Sequence, residues 1–414
     1  MKKRISTIAL LLVALMMFAS CTNNITTTPT ESTSQITTPE VTTPEETTPF
    51  PATDPETEPA TEPTTEPVTE PVTNPTTEPA TEPETEPATE PVTEPVELDP
   101  NCVHDFTRRI VLEQVTTKED GKIANVCSKC GGWQEETLAA VKSLKLLAIG
   151  NSFSNNALEY LPILAKELGI EEVIIGKLYR GSCTVDRHWT DAQKGADYES
   201  FQVSTTKDAN WTTYAAGKRS LKFALSLYDW DIITFQQASG SSGQASSLSN
   251  LQNLIDYVNA RKTNPNAKLY WHMTWAYSQF TSHGSFPNYN KDQMTMYNAI
   301  VDVTKNCIVP NQSFSGIIPA GTTVQNYRDR DGNDSSIESK YITISDGYHL
   351  QTYAKVAAAM TWLRTLTGLS LDDITCTSHN NVKFVKDYQL VNLKKAVEAA
   401  YLNPYEVTYI YSGS

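Results

Sequence analysis

From Leu144 onward the chain alternates short apolar runs with longer stretches of helical pattern. The runs at 144–149, 173–178, 231–235, 268–273 and 314–319 predict five strands. The stretches at 156–168, 248–261, 291–307 and 351–366 predict the helices between and after them. Strands alternating with helices make a parallel sheet covered on both faces, so residues 138–414 are expected to form one α/β domain. In such sheets ligands bind at the carboxyl ends of the strands, and the residues just after each strand carry the chemistry.

The first 137 residues follow other patterns. Lys2-Lys3-Arg4 precedes an apolar run over 8–18, too short to span a bilayer with ease, which is the form of an export signal. It ends in Phe18-Ala19-Ser20-Cys21, similar to the bacterial lipobox, with Phe18 in place of the usual Leu. On that likeness residues 1–21 are a lipoprotein signal peptide and Cys21 is the lipidated first residue of the mature chain; an ordinary secretory signal is the alternative. Two acyl chains suffice for stable anchoring, so a membrane-anchored protein on the outer, extracytoplasmic face is expected.

Residues 22–97 hold 16 of the 23 prolines and 17 of the 48 acidic residues, and no Lys or Arg. Over 55–95 a proline recurs every four residues, mostly as Thr-Glu-Pro followed by Ala, Val or Thr. With φ fixed by proline and glutamates repelling one another, this is expected to be a disordered, extended spacer of about 3 Å per residue. It also accounts for the formal charge of −15, because the chain after Glu97 carries a net charge of only −1. Phosphate binding needs clustered Lys and Arg, so no nucleic-acid partner is expected.

A small module is expected over 98–137. Cys102-Val-His104 is followed, after 22 intervening residues, by Cys127-Ser-Lys-Cys130-Gly131. Cys-x-x-Cys-Gly is a turn that aims two thiolates at one tetrahedral ion, and four N/S ligands complete a structural zinc shell. A single β-hairpin, turning at Lys118-Glu-Asp-Gly121, cannot fold on so small a core, and a metal would supply the free energy. Disulfides or free thiols are the competing readings in an exported protein. A filled shell has no open position, so any metal here is structural. The stretch resembles short Cys-x-His…Cys-x-x-Cys modules of bacterial surface proteins.

Two blocks carry candidate chemistry. Gly150-Asn151-Ser152-Phe153-Ser154 follows the first strand and sets Ser152 at the mouth of a helix. Ser345-Asp346-Gly347-Tyr348-His349-Leu350 precedes the last strong helix, with a carboxylate three residues before an imidazole. That spacing lets Asp346 orient His349 to deprotonate a serine. Together the blocks resemble the first and last sequence blocks of the SGNH (GDSL-like) hydrolases, over about 145–369. More narrowly, they resemble a bacterial branch of no assigned activity that has Gly-Asn-Ser-Phe-Ser for Gly-Asp-Ser.

The resemblance implies a flavodoxin-like three-layer sandwich on a five-stranded parallel sheet. It implies Ser152 as nucleophile, His349 as base and then acid, and Asp346 as its orienter. The oxyanion hole would come from the Ser152 amide, the Gly181 amide after the second strand, and a side chain after the third. There the family has a Gly-x-Asn, whereas this chain reads Gln236-Gln237; either glutamine would have to substitute, with Gln237 preferred. Asn151, in place of the family's Asp, is expected to serve the local turn.

His188, Trp189, His272, Trp275 and Tyr277 fall near strand ends, where they would line a substrate cleft or simply pack. His272, inside an apolar strand, reads as a hydrogen-bonded core residue. Cys183, Cys307 and Cys376 allow one bridge at most, and residues 371–414 read as either a cap or an extra strand. The expected activity is that of a serine esterase removing acyl groups, most plausibly acetyl, from carbohydrate without a catalytic cofactor. The alternative is a non-catalytic surface module, binding carbohydrate or docking on the wall, with a decayed site.

Overall fold

The computed structural model describes residues 96–205, 210–213, 217–328, 342–379 and 382–410. The expected signal peptide, with Cys21, and nearly all of the expected spacer lie outside them. Among the described residues no helix is long and apolar enough to cross a membrane.

The described residues begin with a three-stranded antiparallel sheet, β1 (Phe106–Glu113), β2 (Gly121–Cys127) and β3 (Trp133–Leu138). The sequence predicts only a hairpin here. β3 reads Trp-Gln-Glu-Glu-Thr-Leu, too polar to show a strand period, and it joins through its backbone register with β2, from Val126 opposite Trp133 to Gly121 opposite Leu138.

A seven-stranded sheet follows, built from β4 (Ser143–Gly150), β5 (Glu172–Tyr179), β6 (Ser200–Thr205), β7 (Thr212–Thr213), β8 (Ile232–Phe235), β9 (Lys268–His272) and β10 (Gly316–Ile318). Its spatial order is β10-β9-β8-β4-β5-β6-β7. The five expected strands are there and run parallel, in the flavodoxin-like order. The sheet is nevertheless mixed: β6 pairs antiparallel with β5, and β7 with β6. The five-strand expectation thus undercounts by two strands beyond β5, the Ser- and Thr-containing β6, which shows no continuous apolar run, and the two-residue edge strand β7.

Nine helices flank the sheet among the described residues: α1 (Ser152–Leu158), α2 (Leu161–Glu167), α3 (Val185–Lys194), α4 (Leu221–Leu227), α5 (Leu251–Asn259), α6 (Gln293–Val303), α7 (Ala320–Tyr327), α8 (Thr352–Thr367) and α9 (Asp387–Leu402). The helix expected over 156–168 is two. It begins at Ser152 because the Asn151 side chain caps it, accepting the Phe153 amide at 3.0 Å. It breaks before Pro162, which has no N–H to continue α1 but suits the first turn of α2.

The core is continuous through both faces of the sheet. Leu146, Leu147, Ala148 and Ile149 of β4 are buried, as are Phe153 and Leu158 of α1 and Trp362 of α8. Each such large apolar side chain contributes about 1.5–3 kcal/mol of burial. The residues after 370 form a cap, not a strand of the main sheet: α9 packs on α7 and α8, and Arg364 grips Glu398 with two hydrogen bonds of 2.7 and 2.8 Å. The N-terminal sheet leans on this body. Val115 belongs to the main core, Arg109 Nη1 donates to the Tyr401 carbonyl at 2.9 Å, and Gln114 Nε2 donates to that of Gly368 at 2.7 Å.

Candidate active site

At the carboxyl end of β4 the chain turns sharply into α1. Gly150 makes the turn possible, since a Cβ there would lie 1.9 Å from Ser154 Oγ. Ser152 is the first residue of α1 and is half-buried. Asn151 serves the turn: it caps α1 and donates to the Cys183 carbonyl at 3.3 Å.

The segment before α8 is a tight loop. The Ile344 amide donates to the His349 carbonyl at 2.8 Å, and the Gln351 amide to that of Ile342 at 2.8 Å. Gly347 takes φ of +77° at its tip, with Thr281 so close that a Cβ would clash at 2.6 Å. Asp346 and His349 meet here, with Oδ2 to Nδ1 at 2.7 Å. A carboxylate only accepts, so Nδ1 carries the proton and Nε2 is left to act as base. Asp346 Oδ1 also accepts the amides of Tyr348 (2.9 Å) and His349 (3.0 Å). Burial pushes the Asp346 carboxyl up, but those amides and the His349 imidazole outweigh it and hold it below the usual carboxylate range.

Three contacts brace this loop against the strand ends. The Leu350 amide donates to Asn156 Oδ1 of α1 at 2.8 Å, which brings the loop to the helix that begins at Ser152. Trp275 Nε1 donates to the Tyr348 carbonyl at 2.8 Å while stacking on Phe153 at 4.2 Å, and the Phe153 ring lies 6.1 Å from that of His349. Thr281 Oγ1 donates to the Asp346 carbonyl at 2.8 Å. Sequence reasoning missed Asn156, Thr281 and the bracing role of Trp275. Asn156 lies 194 positions from its partner, and no local spacing announces such a contact.

Of the residues expected to form the oxyanion hole, Gly181, Gln236 and Gln237 make other hydrogen bonds. The Gly181 amide is donated to the exposed carboxylate of Glu199 at 3.1 Å, and Ser182 beside it takes φ of +50°. Gln236 is buried, with Nε2 donating to Asn151 Oδ1 at 2.6 Å and Oε1 accepting from Ser154 Oγ and from His272 Nδ1 at 3.0 Å. Gln237 Nε2 donates to the carbonyl and hydroxyl of Ser247 at 2.8 and 3.0 Å, and its Oε1 accepts the amides of Val185 and Ala238 at 3.0 and 2.7 Å. Gln236 thus ties the end of β8 to the start of α1 and to β9, and Gln237 ties it to the segments at Ser247 and Val185.

The aromatic residues near the strand ends mostly pack. Trp271, Trp275, Tyr277, His188 and His272 are buried, so they do not line an open cleft; Trp189 is half-buried, edge-on to Tyr257. Burial pushes both His188 and His272 down to about 3, which keeps them neutral and leaves them in structural hydrogen bonds. His283, which carries no motif, lies beside the loop, its ring 4.9 Å from Tyr348. Cys183, Cys307 and Cys376 are free thiols. A groove of about 670 Å³, lined in part by Arg109, Glu136, Lys268 and Tyr270, opens between the N-terminal sheet and the amino ends of β8 and β9. It is at the opposite end of the strands from Ser152.

Among curated proteins none matches the chain significantly. A crystal structure of a DUF4886 family protein from Bacteroides uniformis is 32% identical, with a TM-score of 0.57 over 65% of this chain and 98% of that one. A proposed SGNH hydrolase from Slackia heliotrinireducens (15% identity, TM-score 0.33, 54% of this chain and 99% of that one) is more distant. So is a carbohydrate acetylesterase family member from Sinorhizobium meliloti (14%, 0.30, 55% and 100%). At those scores neither bears on this chain's activity. The family described as Domain of unknown function (DUF4886) matches residues 145–386, from β4 to just before α9, and the chain belongs to that family.

Proposed function

We propose that this protein is a serine esterase that hydrolyses O-acyl esters of carbohydrate, O-acetyl esters foremost. The observation that carries the reading is the Asp346–His349 pair at 2.7 Å, braced through Asn156 to the helix that starts at Ser152. Ser152 Oγ attacks the ester carbonyl as His349 Nε2 takes its proton, and Asp346 stabilises the imidazolium. The tetrahedral intermediate collapses, His349 returns the proton to the departing alkoxide, and an acyl-Ser152 ester remains. Water, deprotonated by His349, then releases the carboxylic acid and restores Ser152. The route consumes only ester and water and needs no cofactor. Carbohydrate is favoured because a lipid anchor at Cys21 and a long spacer suit a substrate too large to diffuse inward.

A second reading has one observation in its favour: the amide donors of Gly181, Gln236 and Gln237 already have partners, which suits a non-catalytic carbohydrate-binding or wall-docking surface module. One experiment separates the two. Turnover of 4-nitrophenyl acetate and a panel of acetylated xylooligosaccharides is measured for the full chain and for Ser152→Ala. The esterase reading expects kcat/KM to fall roughly 10,000-fold or more in the variant. No turnover of any ester by the well-folded wild type would favour the binding module.

A further inference from the structure

We propose that Cys102, His104, Cys127 and Cys130 bind one zinc ion that holds the N-terminal sheet in shape and pins the end of the spacer to it. The inference is independent of the hydrolase reading, because these residues lie outside the stretch that matches the family.

The four side chains come from two separate segments, yet their ligand atoms all lie within 4.8 Å of one another. Cys102 Sγ is 3.9 Å from Cys127 Sγ, and Cys130 Sγ is 3.6 Å from His104 Nδ1. Zinc binds thiolate at about 2.3 Å and imidazole at about 2.0–2.1 Å, so a tetrahedral shell has sulfur–sulfur edges of about 3.8 Å and sulfur–nitrogen edges of about 3.6 Å. Both contacts have those lengths. All three thiols are free, and a disulfide between any two would draw a sulfur out of this tetrad.

The backbone has the form the site requires. The Gly131 amide donates to the Cys127 carbonyl at 3.0 Å and the Cys127 amide to the Gly132 carbonyl at 2.8 Å, closing the turn that points both of its sulfurs one way. The Asp105 amide donates to Cys127 Sγ at 3.4 Å, a bond that steadies a metal-bound thiolate. Around the tetrad the two segments cross-link: Ser128 amide to Asp105 carbonyl at 2.9 Å, Lys129 Nζ to Val103 carbonyl at 3.0 Å, Trp133 amide to Val96 carbonyl at 3.1 Å. Val96 stands at the end of the proline-rich stretch.

The sheet has reason to need an ion. Its own buried cluster is Ala124, Val126 and Trp133, with Ile110 and Leu112 half-buried against it. So small a core leaves the three strands to the contacts of Val115, Arg109 and Gln114 with the main body, and a structural zinc would supply further folding free energy outright.

The test uses the full chain, purified without chelator and dialysed. Metal analysis is expected to find about one zinc per chain. Cys130→Ser and His104→Ala are expected to lose most of it, and Cys376→Ser, outside the tetrad, to keep it. Should the variants misfold, cobalt(II) exchanged into the wild type keeps the question answerable: intense visible bands of a tetrahedral thiolate site are expected. Chelation should lower the melting temperature of the wild type and leave Cys130→Ser unmoved. Wild-type protein with negligible zinc and no tetrahedral cobalt spectrum, or an intact mass showing a disulfide among Cys102, Cys127 and Cys130, would overturn the proposal.

Discussion

The two sides of the candidate site are built differently. On the Asp346–His349 side every brace converges on one arrangement: two backbone amides on Asp346, an amide from Leu350 on Asn156, an indole from Trp275 on the Tyr348 carbonyl. On the other side three of the four expected donors have other partners: the Gly181 amide has Glu199, Gln236 Nε2 has Asn151 through one of its two hydrogens, and Gln237 Nε2 has the carbonyl and hydroxyl of Ser247. The acid–base half is thus preorganised, whereas the half that would meet the developing oxyanion must, beyond the Ser152 amide, free a donor or use another. Preorganised donors are commonly the largest single source of rate enhancement in acyl transfer. The difference therefore teaches that a well-formed Asp–His pair is no measure of how good a catalyst the whole site is.

The largest expected effect falls on the ordered side. Asp346→Asn keeps the shape but offers the imidazole a donor in place of an acceptor, favouring the wrong tautomer. An esterase should lose about 10,000-fold in kcat with its melting temperature little changed. Steady-state kinetics beside a thermal melt checks this, and a small loss would mean that the pair is not used as a relay.

Next is Gln237→Ala, which strips the Val185 and Ala238 amides of their acceptor and Ser247 of its donor in a buried place. An unfolding free energy lower by about 1–3 kcal/mol is expected, measured by denaturant titration. If Gln237 is instead an oxyanion donor, kcat will fall far more than stability does.

A smaller effect should follow Glu199→Gln, which removes a negative charge from the Gly181 amide. A rise in kcat/KM of a few-fold, greatest at low salt, is expected if that amide serves the oxyanion. A fall would assign Glu199 to positioning the loop.

The smallest effect is in acid. Because Asp346 is held below its unfolded-state value of about 3.9, its contribution to stability is full above that pH and is lost as the pH falls through the lowered folded value. Thermal melts from neutral pH to below pH 4 should show Asp346→Asn losing less stability than wild type at the acid end. Parallel curves would break the link.

Legibility in the sequence tracked how local the cause was. The five parallel strands are continuous apolar runs and stand out at any window. β6, β7 and β3 are short or polar, and their partners are chosen by register, which no periodicity encodes. The break before Pro162 was readable from proline's missing N–H, yet the apolar spacing ran through it. Asp346 and His349, three residues apart on one turn, are joined by local geometry. The placement of their loop against α1 depends on Asn156, 194 positions from Leu350, and on Trp275, which by sequence reads equally as a cleft-lining or a packing residue.

By itself the sequence determined the alternation of strand and helix, the proline-rich acidic stretch, and the residue types able to do acyl-transfer or metal chemistry, because each follows from side-chain identity and near-neighbour spacing. Only the tertiary structure decided which polar atoms already have partners. That Gln236 and Gln237 tie the end of β8 to other segments, that Glu199 holds the Gly181 amide, and that Cys102 and His104 meet Cys127 and Cys130 are facts of placement across the chain. A hydrogen bond or a metal shell is set by ångström-scale distances between segments, and those distances exist only once the core has packed.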